Sequence, residues 1–139
     1  MATQMQLARQ GKITEAMAAV AKAEGMAPEA LREKVAAGTV AICANVNHTS
    51  LRPFGFGEGL STKVNANIGT SSAFPDLEPE LAKLEAAIAA GAHAVMDLST
   101  GDNIDVSRRS IIERSTIAVG TVPIYQATVE AIKSKGSIM

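Results

Sequence analysis

Three chemically distinctive side chains recur at one interval along this chain. Asn67 and Met96 lie 29 residues apart, and Met96 and Tyr125 lie another 29 apart. Each sits in a short segment (KVNANIGTS, AVMDLSTG or VGTVPIYQA) that reads as a buried strand running into a loop of small or polar residues. In the first segment Asn65 and Asn67 alternate with Val64, Ala66 and Ile68. Two amides on one side of a strand form either a donor–acceptor pair for a polar ligand or a ladder bonded to backbone, because buried amides need partners. Asp97 sits near the end of an apolar run and is followed, after Leu98, by Ser99, Thr100 and Gly101. A carboxylate there suits a ligand hydroxyl or amine, or the capping of its own loop. Tyr125 comes just after Pro123. Its ring suits covering a flat ligand while its hydroxyl donates a hydrogen bond, or it is one more aromatic at a strand–helix junction. Met96 by itself reads as core. His48 closes an Asn-Val-Asn-His run and has the chemistry to bind a metal or shuttle a proton, although a lone histidine more often does neither. His93 falls in a turn after a helix and is expected to be solvated.

The elements that position these residues follow from the interval. A strand, a loop, a helix and a return loop fit it, so the pattern is βα repetition. Parallel strands in successive units direct their C-terminal ends to one side, where sheets and barrels of this kind bind substrates. Asn67, Asp97 and Tyr125 are therefore expected near one rim. Strands are predicted at about 62–68, 94–98 and 117–122. A helix at about 78–90 carries an apolar stripe of Leu81, Leu84 and Ile88 and stops at Gly91. A second helix, VSRRSIIERS, is expected to be capped by Asp105, and a third, YQATVEAIKSK, runs toward the end. The strands read as apolar on both faces, the pattern of strands covered on both sides.

Upstream, residues 1–60 form a helical region with one strand and a glycine-rich loop. Thr14 suits an N-cap, Pro28 a first helical position, and Gly11, Gly25 and Gly38 suit helix ends. TVAICANV, residues 39–46, is predicted as a strand, and NHTSLRPFGFGEGL as a long loop. Residues 61–139 then hold three βα units. Three units close no barrel, which takes about eight strands. A three-stranded parallel sheet has a bare hydrogen-bonding edge, so self-association into a homo-oligomer is expected. The last residues, KSKGSIM, read as the start of a further strand, and the chain reads as a fragment of a longer protein.

Composition excludes several function classes. The 13 basic and 14 acidic side chains nearly cancel, and no basic run exists, so nucleic acid is not an expected partner. No apolar stretch is long enough to cross a bilayer, the N-terminus lacks the apolar region of a signal peptide, and cytoplasm is the default compartment. A single cysteine, Cys43, permits no internal disulfide and no site built from several thiolates of this chain. No metal site is expected. Gly55, Gly57 and Gly59 alternate without the strand-then-helix setting of a nucleotide fingerprint. The core must be built from Ala, Val, Ile, Leu and Met, since aromatics are 3% and Trp is absent.

Taken in order, QLARQGKIT, ANVNH, KVNANIGTS, AVMDLSTG and VGTVPIYQA resemble the N-terminal third of the phosphomethylpyrimidine synthase, or ThiC, family of thiamine biosynthesis. The resemblance spans nearly the whole chain. It implies an α/β fold: a helical N-terminal region followed by the first βα units of an incomplete (βα)8 TIM-type barrel. It also implies a radical S-adenosylmethionine lyase that uses a 4Fe–4S cluster held by a C-terminal Cys-x2-Cys-x4-Cys motif. That family converts 5-aminoimidazole ribonucleotide to hydroxymethylpyrimidine phosphate. By position, Asn67, Met96 and Tyr125 match residues that contact this substrate, while Asn65, Asp97 and His48 stand as further candidates. The cluster cysteines and metal-binding histidines have no counterpart here, so this chain alone is expected to bind no cofactor and to be inactive. A related branch makes 5-hydroxybenzimidazole from the same substrate. Cys43 in place of an expected proline, the glycine-rich RPFGFGEGL and the NIGTSSAFPD stretch lean toward that branch or toward an unassigned paralogue. The alternative of another class is a standalone binding module.

Overall fold

The computed structural model describes residues 2–136. Two compact units divide the chain, Met1–Lys63 and Val64–Met139.

The first unit opens with three helices whose ends follow from local chemistry. Helix α1, Gln4–Arg9, begins with a reciprocal cap: Thr3 Oγ1 accepts from the Gln6 amide, and Gln6 Oε1 accepts from the Thr3 amide. Helix α2, Glu15–Ala23, is capped by Thr14, whose hydroxyl accepts the Met17 N–H at 3.1 Å. Helix α3, Pro28–Ala37, starts on Pro28 and ends at Gly38 in the left-handed conformation. Ala8, Met17, Val20, Ala21, Leu31, Val35 and Val40 form its core. Strand β1, Val40–Cys43, is shorter than the predicted 39–46 and pairs antiparallel with β2, Phe54–Gly57.

That second strand corrects the expectation of a long loop. Its glycines are packing requirements rather than turn signals. A Cβ on Gly55 would come within 2.8 Å of Val20 Cγ1 and 3.0 Å of Leu60 Cδ1. Gly57, at φ +137°, brings its backbone against Thr39 O, where a Cβ would overlap it. Glycine in a strand often marks such close approach.

The second unit contains the three βα repeats: β3 Asn65–Ile68, α4 Leu77–Ala89, β4 Ala94–Asp97, α5 Ile104–Arg114, β5 Ala118–Thr121 and α6 Pro123–Lys135. The strands form one parallel sheet in the order β3-β4-β5. Ile68, Val95, Leu81, Leu84 and Ile111 build its core, with Ala66 and Val119 packed against them. Burying each large aliphatic side chain stabilises by roughly 1.5–3 kcal/mol, which anchors α4 and α5 to one face of the sheet.

The other face departs from the expectation of strands covered on both sides. Side chains alternate along a strand, and on β3 the alternation leaves Asn65 and Asn67 exposed and Ile68 buried. The polar amides, not the apolar residues, mark this uncovered face. Two smaller differences have local causes. Helix α5 begins one residue before Asp105, with Asn103 at its N-cap, so Asp105 lies in the first turn and pairs with Arg108 at 3.4 Å. Helix α6 continues to Lys135 with Gly136 as its cap, so Lys133–Lys135 are helical, not a new strand; residues 137–139 of that expectation lie outside the described residues.

Candidate functional site at the C-terminal rim of the parallel sheet

Register decides which sequence candidates share a face. Asn65 pairs with Ala94 and Ala94 with Ala118; Asn67 pairs with Met96 and Met96 with Gly120. Directly paired residues point to the same side of a sheet. The uncovered face therefore carries Asn65, Asn67, Ala94, Met96, Ala118 and Gly120, with the Asn67–Met96–Gly120 row nearest the C-terminal end. Asn65 Nδ2 donates to Asn67 Oδ1 at 3.0 Å. Met96 lies across Gly120: a Cβ there would come 2.9 Å from Met96 Cε and 3.0 Å from Sδ. The thioether occupies space that only glycine leaves open. The row thus offers an amide beside a polarizable apolar surface.

Asp97 is separated from this row by one residue and by the opposite face. It pairs with Ile68 and Thr121 and is 3% exposed. Its Oδ1 accepts the Ser99 N–H at 3.0 Å and the Ser99 hydroxyl at 2.5 Å. Of the two readings of Asp97, the geometry matches loop capping, with the carboxylate bonded to the residue two positions on. Ser99 Oγ also accepts the Thr70 N–H at 3.0 Å, and the Thr100 N–H donates to Thr70 O at 2.8 Å. The β3–α4 and β4–α5 loops are tied together beyond the last strand residues. Glu80, 2% exposed on α4, accepts the Gly69 N–H at 2.6 Å and pairs with Lys83.

Tyr125 stands in the first turn of α6, just past the end of β5, and is 41% exposed. His48 is buried in the first unit, inside a turn where the Asn47 N–H donates to Asn45 Oδ1 at 2.9 Å. His93 is half-buried rather than solvated, and its Nδ1 accepts the Val64 N–H at 3.1 Å. Among the described residues no three His, Cys, Asp or Glu side chains are grouped to hold a metal ion. Cys43 is half-buried in β1, and burial raises its thiol above the usual range, which disfavours the thiolate that metals bind. One such thiol does not fit a cluster that takes three or four.

Gly120 is the site feature that reasoning from the sequence missed. The available signal was a glycine inside the β-branched run IAVGTV, since isolated strand glycines mark close approach of another group.

A parallel sheet with helices on one face is a βα architecture, and the Asn67–Met96–Gly120 row lies at its C-terminal end. The chain belongs to the radical SAM ThiC family, whose profile matches residues 3–139. It is 60% identical over 137 residues to the phosphomethylpyrimidine synthase of Desulforamulus reducens, covering 99% of this chain and 32% of that protein. It is 56% identical over 132 residues to the enzyme of the same name from Desulfitobacterium hafniense, covering 95% of this chain and 31% of that protein. The Caldanaerobacter subterraneus enzyme of that name is 56% identical over 137 residues, covering 99% of this chain and 32% of that protein. The chain thus spans about a third of the length of the curated relatives it matches.

Proposed function

We propose that this chain is the N-terminal part of a radical S-adenosylmethionine lyase that converts 5-aminoimidazole ribonucleotide to hydroxymethylpyrimidine phosphate. The observation that carries the proposal is the Asn67–Met96 pair, in register on the uncovered face at the C-terminal end of the parallel sheet. On this reading the uncovered face is the inner wall of a (βα)8 barrel, and its first three strands are β3, β4 and β5. Asn67 hydrogen-bonds the imidazole ribonucleotide, Met96 lies against the ring, and Tyr125 closes the rim over it. The Asp97–Ser99–Thr70 bonds hold the loops that shape this rim. The 4Fe–4S cluster that the family uses is held by polypeptide outside these 139 residues on this reading, since Cys43, a single thiol, does not fit a cluster that takes three or four, and S-adenosylmethionine is assigned to the same full-length protein. The names of the relatives favour the thiamine precursor over 5-hydroxybenzimidazole as product.

Two measurements on the full-length protein test this. Asn67→Ala removes one or two hydrogen bonds at a site that is desolvated with ligand bound, at about 1–3 kcal/mol each. Binding of 5-aminoimidazole ribonucleotide is expected to weaken by roughly 10- to 100-fold, with little change in melting temperature. Normal binding with early melting would show Asn67 to be structural. Product analysis of the turnover mixture separates the two branches: recovery of 5-hydroxybenzimidazole refutes the assigned product.

A further inference from the structure

The two amides on the uncovered face are not equivalent. Asn65 Nδ2 donates to Asn67 Oδ1, and both side chains are exposed, so burial does not force the contact. It follows from their spacing of two residues on one face of β3. In an asparagine amide the acceptor oxygen and the NH2 donor lie in one plane and diverge from Cγ. With Oδ1 turned toward Asn65, the Asn67 NH2 is directed away from it. That NH2 makes no hydrogen bond among the described residues.

We infer that Asn65 is a positioning residue: it sets the Asn67 amide with its NH2 outward, so the ligand atom met there must be a hydrogen-bond acceptor. The inference rests on the pocket proposed above. In an aminoimidazole the atom that qualifies is the unsubstituted ring nitrogen, whose lone pair lies in the ring plane. The exocyclic amine donates and does not suit this position. The ring plane is then oriented by the amide at its edge, while Met96, seated over Gly120 on the adjacent strands, lies beside it. Asn65 never touches the ligand; it selects which edge of the ring faces β3.

The test is titration of the full-length protein with 5-aminoimidazole ribonucleotide, without S-adenosylmethionine. Asn65→Asp replaces the donor with acceptors, so the Asn67 amide turns its NH2 toward residue 65 and presents its oxygen to the ring nitrogen. Binding is expected to weaken by roughly 10- to 100-fold. Asn65→Ala removes the tether without reversing the amide, and the expected loss is only about threefold. Melting temperatures are recorded beside each titration, so that a loss of binding is read only where the fold is retained. Parent-like binding by Asn65→Asp, beside weakened binding by Asn67→Ala, overturns the inference and leaves the pocket intact. Normal binding by Asn67→Ala removes the pocket itself. A loss in Asn65→Asp that vanishes near 1 M salt, where the Debye length is about 3 Å, is repulsion of the ligand phosphate and also overturns the inference. If Asn65→Asp fails to fold, Asn67→Asp decides the matter. It still accepts from Asn65 but has no NH2 to offer, so it must lose binding as Asn67→Ala does, and parent-like binding refutes the proposal.

Discussion

Glu24 and Lys63 form the most enclosed ion pair in the first unit, and replacing Glu24 by Gln should loosen the end of that unit. The carboxylate, just past the end of α2, accepts from Lys63 Nζ at 2.7 Å, from the Ser61 N–H at 2.8 Å and from the Ser61 hydroxyl at 3.1 Å. The side chains are 9% and 12% exposed, so solvent screens the pair little. Hydrogen bonds to charged groups contribute about 1.5–3 kcal/mol each, less what the partners recover elsewhere. Lys63 keeps Ser61 O at 2.6 Å and Ser61 Oγ at 3.0 Å, and Gln still accepts one bond. The net loss should be about 2 kcal/mol, well above the 0–1 kcal/mol typical of surface pairs. Hydrogen exchange at the Ser61 amide is the direct assay, and about 2 kcal/mol corresponds to roughly 30-fold faster exchange where local opening governs it. The pH dependence has a definite sign. Lys63 first, then Ser61, holds the Glu24 pKa below its ordinary 4.5. The stabilisation is therefore fully present at neutral pH and fades as pH falls below 4.5 through the folded-state value. The parent and Glu24→Gln should converge in acid. Equal exchange rates at pH 7, or a gap that widens in acid, would refute the reasoning.

Gly69→Ala should destabilise the second unit by about 3 kcal/mol or more, because the residue sits at φ +147° and its Cβ would lie 2.6 Å from Ser99 N and 2.7 Å from Leu98 C; urea unfolding within 1 kcal/mol of the parent would contradict this. Gly120→Ala should leave stability nearly unchanged, because only the mobile end of Met96 must move, yet weaken 5-aminoimidazole ribonucleotide binding several-fold in a titration of the full-length protein. Anaerobic reconstitution of the 139-residue chain with iron and sulfide should yield no brown chromophore, and assay with S-adenosylmethionine no 5′-deoxyadenosine, because Cys43 is its single thiol. The outer edges of β3 and β5 pair with no other strand among the described residues, so the isolated chain should self-associate; a stable monomer by light scattering at micromolar concentration would contradict that.

Much of the local structure was legible in the residues themselves. The caps Thr14 and Pro28, the stop at Gly38 and the stripe Leu81–Leu84 act within a few positions, so their physics is written in adjacent letters. The constant interval from Asn67 to Met96 to Tyr125 was likewise enough for three parallel βα units, because a helix must return the chain to the same end of the sheet. What sequence left open depended on partners distant along the chain. FGFG reads as a loop until Val20 and Thr39 are seen to need glycine beside them. That Asp97 lies on the face opposite Met96 and beside Ser99 is visible only in the register of the assembled sheet. The 3.0 Å contact between Asn65 and Asn67 likewise appears only once the strand is built. Periodicity specifies which residues alternate; only the assembled sheet decides which of its two faces the helices bury and which is left for chemistry.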